Sequence, residues 1–298
     1  MKSFRTICLC CACFRALAGV GSLHAGTIRH DRDDGLYTAL AWQAEYACVG
    51  AVGRKTASGS KGVASGVLIA GQWVLTAAHV VQDSALTEVS VTFGATAYQA
   101  DDWIVHSDWN GDAGHGYDLA LIHLSDPVAG IEAARLTGDL VGVGEIATVV
   151  GFGETGTGLT GSVLPRGTKR AGQNLIDSTA DSIGLPESIF LADFDNPTPP
   201  GSGALDLEYM LAPGDSGGGW FLERNGQTVL VGISSFIFAR DGNADSDYGD
   251  SMAATRVADY LSWIEDHGVP VPEPTSLSLL VGLWVPVAVA RRRRRRGC

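Results

Sequence analysis

The sequence predicts an all-β fold of the barrel or sandwich kind, closed by one C-terminal helix, and three observations lead there. Short apolar runs rich in Val, Ile, Leu and Phe, each of strand length, alternate with turn residues along most of the chain. The 39 Gly and 11 Pro are scattered without a period, which excludes collagen and favours many turns. Helical spacing of apolar residues occurs clearly only near the C-terminus, and no repeat of about 20–50 residues is found. With 298 residues of which 45% are hydrophobic, the chain can bury a real core and is not disordered as a whole.

Taken in order, residues 1–25 read as a secretory signal: Lys2 and Arg5 precede a short apolar stretch over 7–20, and Ala25 offers a small residue at the cut. Residues 26–47 form an N-terminal segment ahead of the main domain at 48–267. Within that domain, strands are expected at 67–70 and 73–77, with Gly71-Gln72 turning the hairpin between them, and at 89–93, 119–124, 146–152 and 229–238. A single helical turn should follow Ala77. A helix is expected over 254–266, where Val257, Tyr260, Leu261 and Ile264 share one face. Residues 153–209, crowded with Gly, Pro, Ser and Asp, are expected to hold long loops. The tail, 268–298, combines Pro272-Glu-Pro274, a mostly apolar stretch over 277–290, and six arginines at 291–296. That stretch is short of the roughly 20 residues of a comfortable membrane span, and the arginines would hold it on the cytoplasmic side.

Charge and cysteine usage narrow the function. The net charge is −12, and without the two basic ends 12 basic residues face 32 acidic ones, which argues against nucleic acid as a partner. Of the six cysteines, Cys8, Cys10, Cys11 and Cys13 lie in the signal and Cys298 in the tail. Cys48 alone remains in the body, so an exported product has no internal disulfide.

Three short motifs carry the chemistry: Thr76-Ala-Ala-His79 just past a strand, Tyr117-Asp-Leu-Ala-Leu-Ile122 with an acid opening an apolar strand, and Pro213-Gly-Asp-Ser-Gly-Gly-Gly219 in a glycine-rich turn. A serine hydroxyl becomes a useful nucleophile only when a base takes its proton, and histidine titrates near neutral pH. In this order, His then Asp then Ser, the motifs resemble those of the chymotrypsin-like serine proteases. The resemblance runs from about Cys48 to Asp266 and takes in Val231-Gly-Ile-Ser-Ser-Phe236 and the helix around Trp263. It implies two six-stranded antiparallel β-barrels with the site between them. It makes Ser216 the nucleophile, His79 the general base and then acid, Asp118 its orienting partner, and the N–H groups of Gly214 and Ser216 the oxyanion donors. Ser235 and Phe236 would pair with extended substrate, and Met210, Ile237 and Met252 would line a specificity pocket without an acid. Such a pocket favours small or apolar residues, although Glu208, Asp247 and Asp250 lie close to its segments in sequence.

The chain departs from the family pattern in places. Val80 and Ala212 stand where cysteines are common, and no Ile-Val-Gly-Gly start precedes Val49, so the family's switch, a new amino terminus pairing with Asp215, has no matching sequence. Ile28 is a substitute by position alone. The tail resembles the PEP-CTERM sorting signal of Gram-negative bacteria, which implies signal peptidase and an exosortase as processing partners. The product would be secreted or held at the cell surface after transient anchoring in the inner membrane. No cofactor is expected. Residues 241–247 space oxygen ligands like the first half of a calcium loop, but Ser246 replaces its glycine and Met252 its terminal glutamate, so a solvated acidic loop is the first reading and calcium the alternative. His106, Asp108, Asp112 and His115 lack a compact zinc motif. The reading is therefore an exported serine endopeptidase acting through an acyl-enzyme on protein or peptide substrates. Its rivals are a catalytically silent surface-binding homologue and a membrane-tethered adhesin.

Overall fold

The computed structural model describes residues 26–271 apart from Leu140, so the signal assigned to 1–25 and the tail from Pro272 onward lie outside the described residues. Among the described residues no helix is long and apolar enough to cross a membrane.

The chain opens with β1 (Gly26–Ile28) and α1 (Asp34–Ala41). Six strands follow: β2 (Val49–Thr56), β3 (Lys61–Ala70), β4 (Trp73–Thr76), β5 (Leu86–Phe93), β6 (Thr96–Val105) and β7 (Ala120–Leu124), with the short α2 (Ala78–Val81) after β4. They close into an antiparallel barrel in the order β2-β3-β4-β7-β6-β5. Ala70 pairs with Trp73 across the expected two-residue turn. Val52, Val67, Leu75, Val91 and Leu121 fill the interior, β-branched and leucine side chains suited to a pleated wall.

The second half holds β8 (Arg135–Leu136), β9 (Ile146–Gly151), β10 (Thr155–Thr157), β11 (Gly161–Leu164), β12 (Arg170–Leu175), β13 (Ser178–Thr179), β14 (Ile189–Asp193), β15 (Tyr209–Met210), β16 (Gly219–Arg224), β17 (Gln227–Phe238) and β18 (Ser251–Arg256), then α3 (Leu261–Asp266). Its main sheet runs β12-β9-β16-β17-β18-β14-β13, with β8 parallel to β17. The sheet curls into a half-barrel. Asn174 of β12 bridges its gap, donating to Asp193 O of β14 at 2.7 Å and to Tyr209 O at 3.0 Å.

Residues 26–47 are built into this second half. β1 lies between β10, parallel, and β15, antiparallel, and all three of its residues are buried. Asp33 caps α1 through Gly35 N at 2.7 Å, and Asp34 grips the buried Arg170 guanidinium through Nε and Nη2 at 2.5 and 2.6 Å. A fork-to-carboxylate pair of this kind fixes orientation as well as charge.

Two sequence expectations are corrected. The helix expected from Ala254 starts later, because 251–256 is a strand whose six residues are all buried; a 3₁₀ turn over Val257–Tyr260 then leads into α3. A short run buried on both faces, with Ser251, Thr255 and Arg256 enclosed beside Met252 and two alanines, has no period that separates strand from helix. Residues 153–209, read as loops, contain β10 to β14 and reach to the edge of β15, their glycines serving close packing between short strands.

Candidate active site

His79 and Asp118 come from the first barrel. His79 sits in α2, where Ala77 turns the chain from β4 and Arg54 Nη1 donates to Val80 O at 2.7 Å. Asp118 is fully buried. Its Oδ1 accepts the His79 backbone N–H at 3.0 Å and its Oδ2 lies 2.8 Å from His79 Nδ1. Two bonds to one histidine fix both the helix turn and the ring. The chain presents Asp118 through Tyr117, held at φ +59° with its N–H donating to Tyr260 Oη at 3.1 Å. His106, packed edge-on to Tyr260 and tilted against Tyr117 and Trp263, completes this support, and burial lowers its pKa.

Ser216 comes from the second half, on the turn between β15 and β16. Asp215, its neighbour, is buried and accepts Gly153 N at 2.8 Å and Ala212 N at 2.9 Å, which anchors the turn. Burial pushes the Asp215 carboxyl up to about 6 against those two bonds. Ser216 itself is half-buried. Its carbonyl accepts Ser65 N of β3 at 2.9 Å, so the turn docks on the first barrel. Gly217, at φ +82°, approaches so closely that a Cβ there would lie 2.1 Å from Thr76 Oγ1, three residues before His79. Gly214 has φ +105°.

Ser235 joins the two halves at the carboxylate. The β17–β18 ladder slips between Ser234 and Phe236, leaving Ser235 outside the pairing. A bulge re-aims a side chain, and here the Ser235 hydroxyl donates to Asp118 Oδ2. Of the other residues singled out in the sequence, Phe236 and Ile237 are half-exposed along β17, while Met210 and Met252 are wholly enclosed in the core of the second sheet, Met252 paired with Ile237. Glu208 is tied down by Leu205 N at 2.5 Å and Asp195 N at 3.4 Å.

Ser65 escaped sequence reasoning. Its hydroxyl donates to Gly214 O at 3.0 Å and accepts Phe152 N at 2.9 Å, so one buried side chain joins β3 to both loops of the second half. The signal was present: past its opening Lys61 the strand is apolar residues and glycine apart from this one hydroxyl, which needs a partner across the wall.

The trypsin family matches residues 43–264 of this chain. The serine protease SSP1 of Scolopendra subspinipes is 29% identical over 222 residues, covering 67% of this chain and 71% of that protein. Brachyurin of Leptuca pugilator is 31% identical over 216 residues, covering 67% and 85%. The solved structure of HL collagenase superposes with a TM-score of 0.57 at 23% identity, over 82% of this chain and 98% of that one, a likeness of fold.

Proposed function

Because the chain belongs to the trypsin family and is a serine-type endopeptidase, we propose that Ser216, His79 and Asp118 carry its reaction. His79 takes the Ser216 hydroxyl proton as Oγ attacks the scissile carbonyl, then returns it to the leaving amine. The resulting ester is an acyl-enzyme, which water hydrolyses by the same route in reverse. Asp118 holds the ring and offsets the charge it gains. The Gly214 and Ser216 N–H groups take the developing oxyanion, where each donor is typically worth about 2.7–4 kcal/mol. The observation that carries this reading is the pair of hydrogen bonds between His79 and Asp118 beside a serine turn pinned to the same barrel.

Extended substrate would pair along β17 at Ser235 and Phe236. Met210, Ile237 and Met252 put no charge at the pocket, which favours a small or apolar residue before the cleaved bond, since an unpaired Lys or Arg in apolar surroundings costs several kcal/mol. The two ends of the sequence support export through signal peptidase and delivery by a PEP-CTERM tail processed by an exosortase, with transient anchoring in the inner membrane and release to the cell surface or medium of a Gram-negative bacterium.

A fluorophosphonate probe tests the chemistry. Wild-type protein is expected to label at Ser216, and Ser216→Ala and His79→Ala to lose labelling while keeping their melting transitions. Equal labelling of wild type and Ser216→Ala would refute the assignment and favour a silent binding homologue.

A further inference from the structure

The loop over 241–250, between β17 and β18, plays no part in the proposed reaction. Its sequence suggested ligands at 241, 243, 245 and 247, yet the fold gathers a different set. Asp245, Asp247 and Asp250 each bring a carboxylate oxygen within 4.8 Å of the other two. Asp241 and Asn243 remain exposed, and Asn243 Nδ2 donates to Asp245 Oδ2 at 2.6 Å. Asp250 is buried, and Arg240, which precedes the loop, donates its backbone N–H to Asp250 Oδ1 at 3.4 Å but directs its guanidinium to Asp193 at 3.8 Å.

Clustered carboxylates alone do not make a site, but two further atoms here lack partners. Asp245 Oδ1 is buried and accepts no hydrogen bond. Ser246 is 0% exposed and its hydroxyl has no partner either. The Ser246 N–H donates to Asp250 Oδ2 at 3.1 Å, which holds the Ser246 backbone against the cluster. Buried polar atoms without partners are rare. An ionised carboxylate oxygen only accepts, so no neighbouring carboxylate can satisfy it. A water could satisfy the oxygen but would leave the gathered charge unopposed. A cation answers both needs.

We propose that Asp245, Asp247 and Asp250, with the Ser246 hydroxyl, bind a calcium ion. The donors are all oxygen, which selects a hard cation over zinc or copper. They sit on an irregular loop, which suits the variable coordination of calcium better than the strict octahedron of magnesium. The ion would lock a junction. Thr27 Oγ1 of β1 donates to Ser246 O at 2.7 Å, and Ser162 N of β11 donates to Asp245 O at 2.8 Å. His30 N donates to Tyr248 Oη at 3.1 Å, and Met252 follows two residues after Asp250. Occupancy therefore steadies the N-terminal strand together with the start of β18. The proposal does not depend on which residues catalyse.

The test is thermal unfolding of the mature protein after chelator treatment and dialysis, with CaCl2 or MgCl2 added. At calcium about 100 times Kd the melting temperature should rise by about 5–10 °C. Calorimetric titration of the folded wild type with CaCl2 should saturate at one ion per chain. Asp247→Asn, at a partly exposed position, should lose the shift, and Asp241→Asn should keep it. The proposal is overturned if calcium moves neither measurement, if magnesium reproduces the full shift, or if Asp241→Asn loses it as completely as Asp247→Asn.

Discussion

Alanine at Gly217 separates the cost of a left-handed backbone from the cost of moving the serine turn off the first barrel. The new Cβ would lie 2.1 Å from Thr76 Oγ1 and 2.2 Å from Ser65 O, where ordinary contact begins near 3.4 Å. Neither neighbour can yield freely, because Thr76 Oγ1 donates to Ser65 O at 2.8 Å and both atoms belong to barrel strands. The turn must retreat instead, by about 1 Å. Left-handed φ at a non-glycine residue costs roughly 1–2 kcal/mol. Retreat also weakens Ser65 N to Ser216 O (2.9 Å) and Gly217 N to Ser234 O (2.8 Å). Each such bond contributes about 0.5–1.5 kcal/mol. The expected destabilisation is of the order of 2–5 kcal/mol, a fall in melting temperature of roughly 5–15 °C. Displacing the Ser216 hydroxyl by about 1 Å should slow reaction about 100-fold. Gly226→Ala is the control, with φ +73° and nothing within 4 Å of its Cβ. It incurs only the backbone strain and should phosphonylate at the wild-type rate. The assays are calorimetric melting and the second-order rate of fluorophosphonate labelling. If Gly217→Ala melts and labels like Gly226→Ala, the contact argument is refuted.

Three further outcomes are expected. Burial pushes the Glu208 carboxyl to about 8, so the folded chain keeps a proton that the unfolded chain releases near 4.5. Its contribution to stability is full below about 4.5 and is lost as pH rises through about 8. Glu208→Gln should flatten the decline in melting temperature between pH 5 and 8, and parallel profiles would remove Glu208 as a cause. A peptide-library digest should show cleavage after Ala, Val or Leu, and dominant cleavage after Lys or Arg would overturn the apolar-pocket assignment. Intact mass of protein from its own host should end near Pro272, without Arg291 to Arg296, whereas a mature species retaining Cys298 would favour a plain membrane anchor.

What could be read from the sequence was what short segments determine on their own. The hairpin at Gly71-Gln72, the histidine turn after β4 and the glycine turn around Ser216 are local, and each formed where its residues required. What depended on a distant partner stayed hidden. Residues 26–47 were set apart as a segment ahead of the main domain, yet they supply a buried strand and, through Asp34, the counter-charge of Arg170. Apolar content in 153–209 is too broken by glycine to betray β10 to β14, since those strands are held by their neighbours and not by propensity. The acidic loop followed a familiar spacing, but its left-handed Ser246 (φ +67°) goes with a different grouping of aspartates from the one the spacing suggested.

The same contrast bears on how the site is maintained. His79 and Asp118 belong to one barrel and Ser216 and Ser235 to the other half, and one apolar cluster, with Val67 and Leu75 on one side and Phe152, Phe221 and Ile233 on the other, packs the two together. Within that packing the site is aligned by directional polar bonds across the interface: Ser235 Oγ to Asp118 Oδ2, Ser65 N to Ser216 O, and the Ser65 hydroxyl between Gly214 O and Phe152 N. Each contributes only about 1 kcal/mol or somewhat more to stability, against cores that bury dozens of apolar side chains. Reaction geometry tolerates displacements far smaller than those that unfold a barrel. Substitutions at Ser65 or Ser235 should therefore reduce turnover well before they lower the melting temperature. Ser65 would in this sense be a positioning residue for the proposed triad without touching substrate.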